Sequence, residues 1–380
     1  MIFDEFASLL SGICSHSLLA AGRPLVWTII ANPKAGGFTI KSRWNKHYAM
    51  IKNCALVANK NPVREAGPSQ TALREGGSTG SLGLVLTKAA GDAGEITGAL
   101  IREASAGGGT ESGKAAPKNG GRPFYLIITA GGDGTSLEVL TSIYHAPAEV
   151  RENLVVLRLP MGTGNDGADA WEVDKALDLL IEPSGIGRQR ALRLTTAGGK
   201  GPFLAFNILS VGLDAFVTHM TNKMKGKLPG DSYKLWVDIA SLLYDRLYKV
   251  GSMDVRSLDG AGREVKAFRE KLLLLAVGES GNRTYGSHKK ILPDGRNVCA
   301  IKQMPLLRKI ALKELFSRGT HIDKPEAILW NANSVEFSAQ YPILAQMDGE
   351  AVLLEAKDFP AVIELTEPVI PIIKGVGNRE

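Results

Sequence analysis

Three glycine-rich segments of this 380-residue chain have the residue types of phosphate-binding loops. They read Ala31-Asn32-Pro33-Lys34-Ala35-Gly36-Gly37, Ala130-Gly131-Gly132-Asp133-Gly134-Thr135 and Pro160-Met161-Gly162-Thr163-Gly164-Asn165-Asp166. Glycine lets the backbone approach an anion and turn its N–H groups towards it, and a helix that follows adds partial positive charge at its N-terminus. Asn32 and Lys34 add side-chain donors to the first segment. Together the three segments predict a site for nucleotide phosphates.

Two acidic residues, Asp133 and Asp166, lie within these segments. A carboxylate beside phosphate is unfavourable unless it binds Mg²⁺ or handles a proton, so Asp133 indicates phosphoryl transfer rather than nucleotide binding alone. Asp166 is a further candidate for Mg²⁺ or for the network around the accepting hydroxyl. The alternative for the second segment is an ordinary strand-to-helix turn in which Thr135 caps the helix.

An apolar run precedes each glycine segment and must position it. Residues 25–30, 124–129 and 154–159 read as buried strands, and helical patterns follow the second and third segments. In an open α/β sheet, the carboxyl ends of the strands face one crevice, where ligands bind. We therefore expect the three loops to converge on one triphosphate.

After residue 181 the pattern changes to short or alternating apolar runs, such as Phe203-Leu204-Ala205-Phe206 and Ser334-Val335-Glu336-Phe337, which are typical of strands. This change predicts an α/β domain at residues 1–185 and a strand-rich domain at residues 186–380. Stretches rich in glycine and polar residues at 58–81 and 104–122 are expected to be exposed insertions, and residues 3–19 an additional N-terminal helix.

The composition is that of a globular protein with modest positive charge, since 45 Lys and Arg exceed 39 Asp and Glu by 6. This surplus favours nucleotides or an anionic membrane surface; no nucleic-acid partner is predicted, and a homodimer is left open. The acidic N-terminus lacks the basic region of a secretory signal, and no apolar run approaches bilayer-spanning length. We expect a cytoplasmic protein that associates peripherally with membranes.

Lys223, Lys225 and Lys227 precede a helical pattern around Trp236, which indicates either core packing or a lipid-facing helix.

In order and approximate spacing, these motifs resemble the diacylglycerol kinase catalytic-domain family, which includes sphingosine kinases and bacterial lipid kinases. The resemblance covers most of the chain. Besides the three loops, it rests on Thr87 with Gly91-Asp92-Ala93, on Asn207 with Ser210-Val211-Gly212-Leu213-Asp214, on Pro293-Asp294-Gly295 and on Met347-Asp348-Gly349-Glu350. Gly-Gly-Asp-Gly-Thr is shared with NAD kinases. Its pairing with Gly-Thr-Gly-Asn-Asp and a late Asp-Gly-Glu is more discriminating.

The resemblance implies a three-layer α/β nucleotide-binding domain followed by a C-terminal β-sandwich, with the active site in the interdomain cleft. It implies transfer of the γ-phosphoryl group of ATP, with Mg²⁺, to a lipid hydroxyl, and diacylglycerol or a related glycerolipid is the leading substrate. Thr87 matches a residue that contacts the nucleotide base. Asp294 matches a position that holds a structural Mg²⁺, although Arg296 stands where an uncharged aromatic residue is common, and a plain Pro-Asp-Gly turn is the alternative.

The residues expected to bind the nucleotide are Asn32, Pro33, Lys34, Ala35, Gly36, Thr87, Gly131, Gly132, Gly134, Thr135, Gly162, Thr163, Gly164 and Asn165, and those expected to bind metal are Asp166 and Asp294. Glu350 is the first choice for the base that accepts the hydroxyl proton. In similar bacterial proteins this Glu has the catalytic role, whereas in sphingosine kinases the Asp matching Asp133 is favoured. Asp133 is therefore assigned as a base or a Mg²⁺ ligand.

Alternatives remain for the Asp-Gly-Glu motif and for the function of the whole chain. Residues 347–350 also fit a hairpin turn with solvent-exposed acids. For the whole chain, the other functions are a sphingoid-base kinase, an NAD kinase, or a nucleotide-binding regulatory protein that has lost catalysis.

Overall fold

The computed structural model describes residues 2–19, 23–60, 83–106, 123–224, 244, 248–286 and 289–375. The chain forms two compact units: the first comprises residues 1–189 and 369–380, and the second residues 190–368. The insertions expected at 58–81 and 104–122 fall mostly outside the described residues, as do Lys225, Lys227 and Trp236. Among the helices that are described, none combines the length and apolar content needed to cross a bilayer.

The first unit is built on a six-stranded sheet with the order β2-β1-β3-β4-β19-β5. Its strands are β1 Leu25–Ala31, β2 Leu84–Leu86, β3 Phe124–Gly131, β4 Leu154–Pro160, β5 Pro183–Gln189 and β19 Ile370–Gly375. All neighbours pair in parallel except β19 and β5, which are antiparallel. Every residue of β4 is buried, as expected for a central parallel strand covered on both faces.

Helices cover both faces of this sheet. The helices are α1 Ile2–Ser15, α2 Gly36–Thr39, α3 Lys41–Lys60, α4 Asp92–Ser105, α5 Asp133–Tyr144, α6 Ala148–Arg151 and α7 Val173–Ile181. On one face α1, α3 and α7 share a core with alternate residues of β1, β3 and β4. On the other face Thr129 Oγ1 of β3 lies 3.3 Å from Ser136 Oγ of α5, and α4 packs on α5. The predicted three-layer α/β architecture is confirmed.

The C-terminal strand corrects the predicted division of the chain. The sequence assigned everything after residue 185 to the second domain, but β19 lies between β4 and β5 in the first sheet, where Ile372 pairs with Val156. A six-residue apolar strand carries no local mark of which sheet it joins, because its partners lie more than 180 residues away in the sequence. That assignment was therefore wrong.

The second unit consists mainly of antiparallel strands. They are β6 Leu192–Thr196, β7 Phe203–Ala205, β8 Ile208–Gly212, β9 Ser252–Leu258, β10 Glu264–Gly278, β11 Arg283–Tyr285, β12 Lys289–Leu292, β13 Val298–Lys302, β14 Ala327–Trp330, β15 Ser334–Ala339, β16 Ile343–Met347, β17 Glu350–Leu354 and β18 Ala361–Leu365. Eleven of them form one continuous sheet, and β11 and β12 form a separate hairpin.

The long strand β10 joins two halves of that sheet. Its first part pairs with β9, which leads to β15, β18, β6 and β7, and its second part pairs with β8 and β13. Val255 and Phe337 from the first half and Val211 and Leu275 from the second lie in one hydrophobic core. Two antiparallel layers around a common core form a β-sandwich, which agrees with the fold that the resemblance implied.

Helices α8 Leu213–Met224 and α9 Leu306–Arg318 lie within the described part of this unit. Phe216 of α8 and Phe316 of α9 belong to a second core with Leu273 and Leu292. Short 3₁₀ helices follow at Thr320–Asp323 and Ala356–Asp358. In the whole chain all three cysteines, Cys14, Cys54 and Cys299, are buried free thiols.

Candidate functional site

The three glycine loops of the first unit lie against one another. The backbone N–H of Asn32 donates to Ala130 O at 2.9 Å, which joins the first loop to the second. The N–H of Gly37 donates to Met161 O at 2.8 Å, which joins the first loop to the third. These hydrogen bonds form because β1, β3 and β4 are adjacent and parallel, so the chain leaves each strand at the same edge of the sheet.

Close packing leaves room only for glycine at two positions of the second and third loops. A Cβ on Gly162 would lie 2.4 Å from the Cα of Gly132, and a Cβ on Gly131 would lie 2.5 Å from Thr135 Oγ1. Gly132 is different, since its φ of −100° and ψ of −170° suit any residue and its added Cβ would meet nothing nearer than 3.5 Å. Gly131 and Gly162 are therefore required by packing, whereas no contact within the protein explains a glycine at 132.

Two asparagines brace their own loops. Asn32 Oδ1 accepts the N–H of Lys34 at 2.9 Å. Asn165 has a left-handed backbone with φ 59°, and its Oδ1 accepts the N–H of Gly162 at 2.7 Å. Its Nδ2 donates to Pro160 O at 3.2 Å. Asparagine tolerates this conformation better than most residues because its short amide can hydrogen-bond locally. The fold thus gives Asn165 a structural task in closing the third loop.

The carboxylate of Asp133 faces the third loop, where its Oδ1 accepts the N–H of Gly167 at 3.0 Å. Burial raises the pKa of Asp133, while the backbone N–H groups of residues 165–167 and the charge of Arg158 oppose that rise. A raised pKa makes the carboxylate a stronger proton acceptor than an exposed Asp. Asp133 therefore holds two loops together and is also chemically suited to act on a proton.

The N-terminus of α5 is open to an anion. Gly132 occupies the N-cap position and no side-chain hydrogen bond caps the helix, which disagrees with the alternative of a turn capped by Thr135. The first N–H groups of any helix lack partners within the helix and carry partial positive charge. Here they lie next to a second glycine loop, which is the arrangement of a phosphate cradle.

The carboxylates of Asp133 and Asp166 lie near the same point. A Cβ on Gly164 would be 2.9 Å from Asp133 Oδ2 and 3.4 Å from Asp166 Oδ2. In the described part of the chain, no group of three or more His, Cys, Asp or Glu side chains is arranged to hold a metal. Mg²⁺ is commonly bound by one or two carboxylates completed by phosphate oxygens and water, so this pair fits Mg²⁺ delivered with a nucleotide.

Thr87 ends β2 at the same edge of the sheet as the glycine loops. It is buried, and its N–H donates to Ala31 O at 2.9 Å. Sequence reasoning missed the residue that holds the segment after it: the carboxylate of Glu138 on α5 accepts the N–H groups of Gly91 at 2.8 Å and Ala93 at 3.1 Å. Glu138 thus caps α4 from a neighbouring helix. An acidic residue two turns into α5 was the only sequence signal.

A buried ion pair, also missed from the sequence, fixes the end of the third loop. Arg158 and Asp169 are both almost fully buried; Arg158 Nε lies 3.0 Å from Asp169 Oδ1, and the backbone N–H of Arg158 donates to Asp169 Oδ2 at 2.7 Å. Arg158 Nη2 also donates to Gln189 Oε1 at 3.1 Å. Burying a guanidinium requires such complete pairing, and an Arg inside an otherwise apolar strand was the available signal.

In the second unit, Asp348 and Gly349 form the two-residue turn between β16 and β17, with φ 44° and 102°. The alternative of a hairpin turn with solvent-exposed acids does not hold for Asp348. Its carboxylate is buried and accepts backbone N–H groups of Phe206, Asn207 and Ile208. Glu350, the first residue of β17, is exposed. The turn therefore separates a structural acid from an accessible one.

A polar cluster lies beneath this turn. Gln346 Oε1 accepts the N–H of Gly349 at 3.1 Å, and Gln346 Nε2 donates to Ser210 Oγ at 2.9 Å. Ser210 Oγ in turn donates to Asp214 Oδ2 at 2.7 Å. Burial raises the pKa of Asp214 to about 6, although its hydrogen bonds and the charge of Lys289 oppose the rise.

Asp294 is engaged by a cation within its own turn. Arg296 Nε donates to Asp294 Oδ2 at 3.0 Å, and the backbone N–H of Arg296 donates to Asp294 Oδ1 at 2.9 Å. The guanidinium lowers the pKa of this carboxyl. A metal ion at Asp294 would have to share the carboxylate with Arg296 or displace it.

Comparison with known proteins gives concordant matches. Residues 26–197 match the family model described as the diacylglycerol kinase catalytic domain. A Staphylococcus carnosus protein named diacylglycerol kinase is 27% identical over 244 residues, which cover 60% of this chain and 70% of that protein. A Yersinia enterocolitica protein named a probable YegS-like lipid kinase is 28% identical over 240 residues, which cover 61% and 74%.

The fold also matches a solved structure. The crystal structure of a proposed diacylglycerol kinase from Bacillus anthracis aligns with a TM-score of 0.55 and 18% identity, over 92% of this chain and 95% of that one. At such identity the match concerns the fold alone. It extends beyond residues 26–197 and includes the strand-rich second unit.

Proposed function

We propose that the protein transfers the γ-phosphoryl group of ATP to a hydroxyl of diacylglycerol or a related glycerolipid, because residues 26–197 match the model of the diacylglycerol kinase catalytic domain. The observation that carries this proposal is the uncapped N-terminus of α5, which lies against the third glycine loop and beside the carboxylates of Asp133 and Asp166. An anion cradle next to a pair of hard oxygen ligands suits a nucleotide that arrives with Mg²⁺.

The proposed binding roles follow from these positions. The first N–H groups of α5 and the loop at 162–165 bind the triphosphate, with Lys34 as an exposed cation beside them. Asp133 and Asp166 hold Mg²⁺, which when bound neutralises charge on the transferring phosphate. Thr87 faces the nucleotide base, and Asp294 holds a second, structural Mg²⁺ if Arg296 moves aside.

The proposed chemical roles fall to two acids. Glu350 accepts the proton of the lipid hydroxyl as the oxygen attacks phosphorus, and Asp133 is the alternative acceptor because burial raises its pKa. A diacylglycerol acceptor resides in a membrane, so the proposal includes peripheral association with lipid bilayers.

The direct test is a transfer assay with ATP radiolabelled in its γ-phosphate and Mg²⁺. Diacylglycerol and sphingosine are supplied separately in mixed micelles, and NAD is supplied in solution. We expect label in phosphatidic acid. Label in sphingosine phosphate or NADP instead would assign the chain to a different acceptor, and no labelled product from any of the three would contradict the kinase assignment.

Gly132→Val tests the phosphate cradle separately. The backbone of residue 132 suits a residue other than glycine and an added Cβ makes only an ordinary contact, so we expect the fold to be retained while the side chain occupies the space in front of α5. We expect calorimetric titration with a non-hydrolysable ATP analogue to show at least about tenfold weaker binding, equivalent to roughly 1.4 kcal/mol. Unchanged affinity in the folded variant would remove the cradle from the proposal.

A further inference from the structure

Helix α9 presents an unusual apolar surface to solvent. Leu306 is 41% exposed, Leu307 81% and Ile310 52%. Leu307 has the highest exposure of any large apolar side chain that the structure describes. Single exposed apolar residues are ordinary, but contiguous ones mark an interaction surface.

The three residues form one patch because of helix geometry. Residues three and four positions apart are neighbours on a helix surface, so Ile310 lies next to both Leu306 and Leu307. Lys309 and Phe316, which point to the opposite side of the helix, are buried. The helix therefore packs through Lys309 and Phe316 and leaves Leu306, Leu307 and Ile310 exposed.

A groove continues the apolar surface along the same helix. It has a volume of about 430 Å³, and its apolar lining includes Ile301, Met304, Ala311 and Leu315. Arg308, Asp323, Lys324 and Glu326 supply its polar lining. Ile301 and Met304 are buried and lie outside α9, so Ala311 and Leu315 are the residues of the helix itself that add apolar lining to the groove.

The charge around α9 is positive. Residues 302–326 contain six Lys and Arg and three Asp and Glu, a difference of 3, and one of the six, Lys309, is buried. Arg308 pairs with Glu326 and Arg318 with Glu314, yet both arginine side chains remain largely exposed. Outward apolar side chains with basic flanks are the pattern of helices that lie in the interface of an anionic bilayer.

A second copy of the chain is a less favourable occupant. In a two-fold dimer the same patch meets itself, so a segment with a net charge of this sign would face an identical one. Like charges brought together at an interface are repulsive. The charge of the patch instead complements an anionic lipid surface.

We infer that α9 docks the protein on anionic membranes by inserting Leu307 and Ile310 between lipid headgroups. This inference rests on the proposed function, which places the acceptor in a bilayer. It assigns the contact to α9, a site separate from the residues around Lys223 and Trp236 considered from the sequence.

The test is co-sedimentation of the full-length chain with phosphatidylcholine vesicles, with or without phosphatidylglycerol. The variant is Leu307→Glu with Ile310→Glu, and the matched control is Leu56→Glu with Val57→Glu on α3, where two similarly exposed apolar residues also lie on a basic helix. We expect wild-type binding to require phosphatidylglycerol and to weaken with salt. The α9 variant should bind at least about tenfold more weakly, and the control should bind like wild type.

Three outcomes would overturn the inference. They are unchanged vesicle binding of the α9 variant, equal losses in the α9 and α3 variants, and conversion of a wild-type oligomer to monomer by the α9 substitutions without loss of vesicle binding. Thermal unfolding checks that each variant is folded, and Leu307→Ser provides a milder substitution with an intermediate loss expected.

A micelle assay separates this inference from the proposed function. With a short-chain diacylglycerol dispersed in detergent, the α9 variant should transfer phosphate like wild type, because a dispersed acceptor does not require docking. Transfer by neither protein, together with the expected vesicle results, would reject the kinase assignment and keep the docking surface. If wild type and the α9 variant both transfer phosphate normally and the α9 variant also binds vesicles like wild type, the docking surface alone would be rejected.

Discussion

Burial gives the acidic residues of this protein different tasks. Asp133 and Asp214 have raised pKa values because they are desolvated, whereas the pKa of Asp294 is lowered by Arg296. Asp348 is held by three backbone N–H groups, and its neighbour Glu350 is exposed. Among the acids proposed to act on the substrate, Glu350 is accessible and Asp133 has a raised pKa, so these two are the candidates for the base.

Glu350→Gln is expected to lower kcat by about 10²-fold or more, since glutamine retains the shape and an oxygen acceptor but little basicity. ATP affinity should change little. The matched variant Asp133→Asn should also alter the dependence of rate on Mg²⁺ if Asp133 is a metal ligand. Steady-state kinetics at varied Mg²⁺ concentration distinguish a general base from a metal ligand. A rise in KM with preserved kcat for Glu350→Gln would mean that Glu350 only binds the substrate, and Asp133 would become the preferred base.

Asp214 predicts a pH dependence of stability. Its pKa is about 6 in the folded chain and roughly 3.9 in an unfolded one, so the folded state binds more protons between about pH 4 and pH 6. The stability due to this proton is complete below about pH 4 and is lost as pH rises to about 6. Asp214→Asn removes the ionisation and can still accept hydrogen bonds from Ser210 and Gln346. As the pH rises from about 4 to about 6, the free energy of unfolding of Asp214→Asn should therefore increase relative to that of wild type, by at most about 3 kcal/mol.

Urea unfolding at several pH values between 4 and 7 measures this difference. The two proteins should diverge up to about pH 6 and then remain parallel. Curves that are parallel throughout would show that Asp214 is not the group that titrates.

At the scale of elements, carboxylates connect segments that are distant in the sequence. Glu138 joins α5 to the start of α4, Asp169 joins the third loop to β4, and Asp348 joins the β16–β17 turn to the residues before β8. The accepted backbone N–H groups lie at the start of α4, within β4 and at the start of β8, and each needs an acceptor when it is removed from water. The loops at the candidate site are thus positioned by acids outside the glycine motifs.

Glu138→Ala should destabilise the protein by about 1–2 kcal/mol, because the N–H groups of Gly91 and Ala93 lose their acceptor. It should also weaken nucleotide binding if Thr87 contacts the base, since α4 and the segment before it would be less fixed. Thermal unfolding and calorimetric titration measure the two effects. Glu138→Gln, which retains one acceptor oxygen, is the control and should lose less. An alanine variant as stable as wild type would show that the cap contributes nothing.

The sequence predicted the elements better than the contacts between them. Residues 25–30, 124–129 and 154–159 were identified as strands because an apolar run ended by glycine is a local signal, and their common edge followed from parallel pairing. The capping of α4 by Glu138 and the hydrogen bonds from three backbone N–H groups to Asp348 were not predictable from local sequence. The partners of Glu138 begin 44 residues away, and those of Asp348 lie up to 142 residues away. For Asn165, the sequence identified the loop but not the hydrogen bonds by which its side chain closes that loop. Those hydrogen bonds depend on a left-handed backbone that the sequence does not specify.

At the scale of the whole molecule, the chain begins and ends in the same unit. β19 fills the position between β4 and β5, and β5 has no other partner in the described sheet. Ile370 and Ile373 of β19 are buried, and Ile373 belongs to the core shared with α7. The α/β sheet is therefore incomplete without residues 370–375.

Truncation after Pro368 tests this dependence. Loss of β19 removes two buried isoleucines and the partner strand of β5, which should destabilise the first unit by about 4 kcal/mol or more. Calorimetry should show a lowered unfolding temperature for that unit and titration a loss of ATP-analogue binding, even though 369–375 contains none of the proposed binding residues. Truncation after Gly375 retains the whole strand and should behave like wild type. If the shorter chain kept full stability and nucleotide affinity, residues 26–197 would fold without β19, and the C-terminal return would have no part in forming the site.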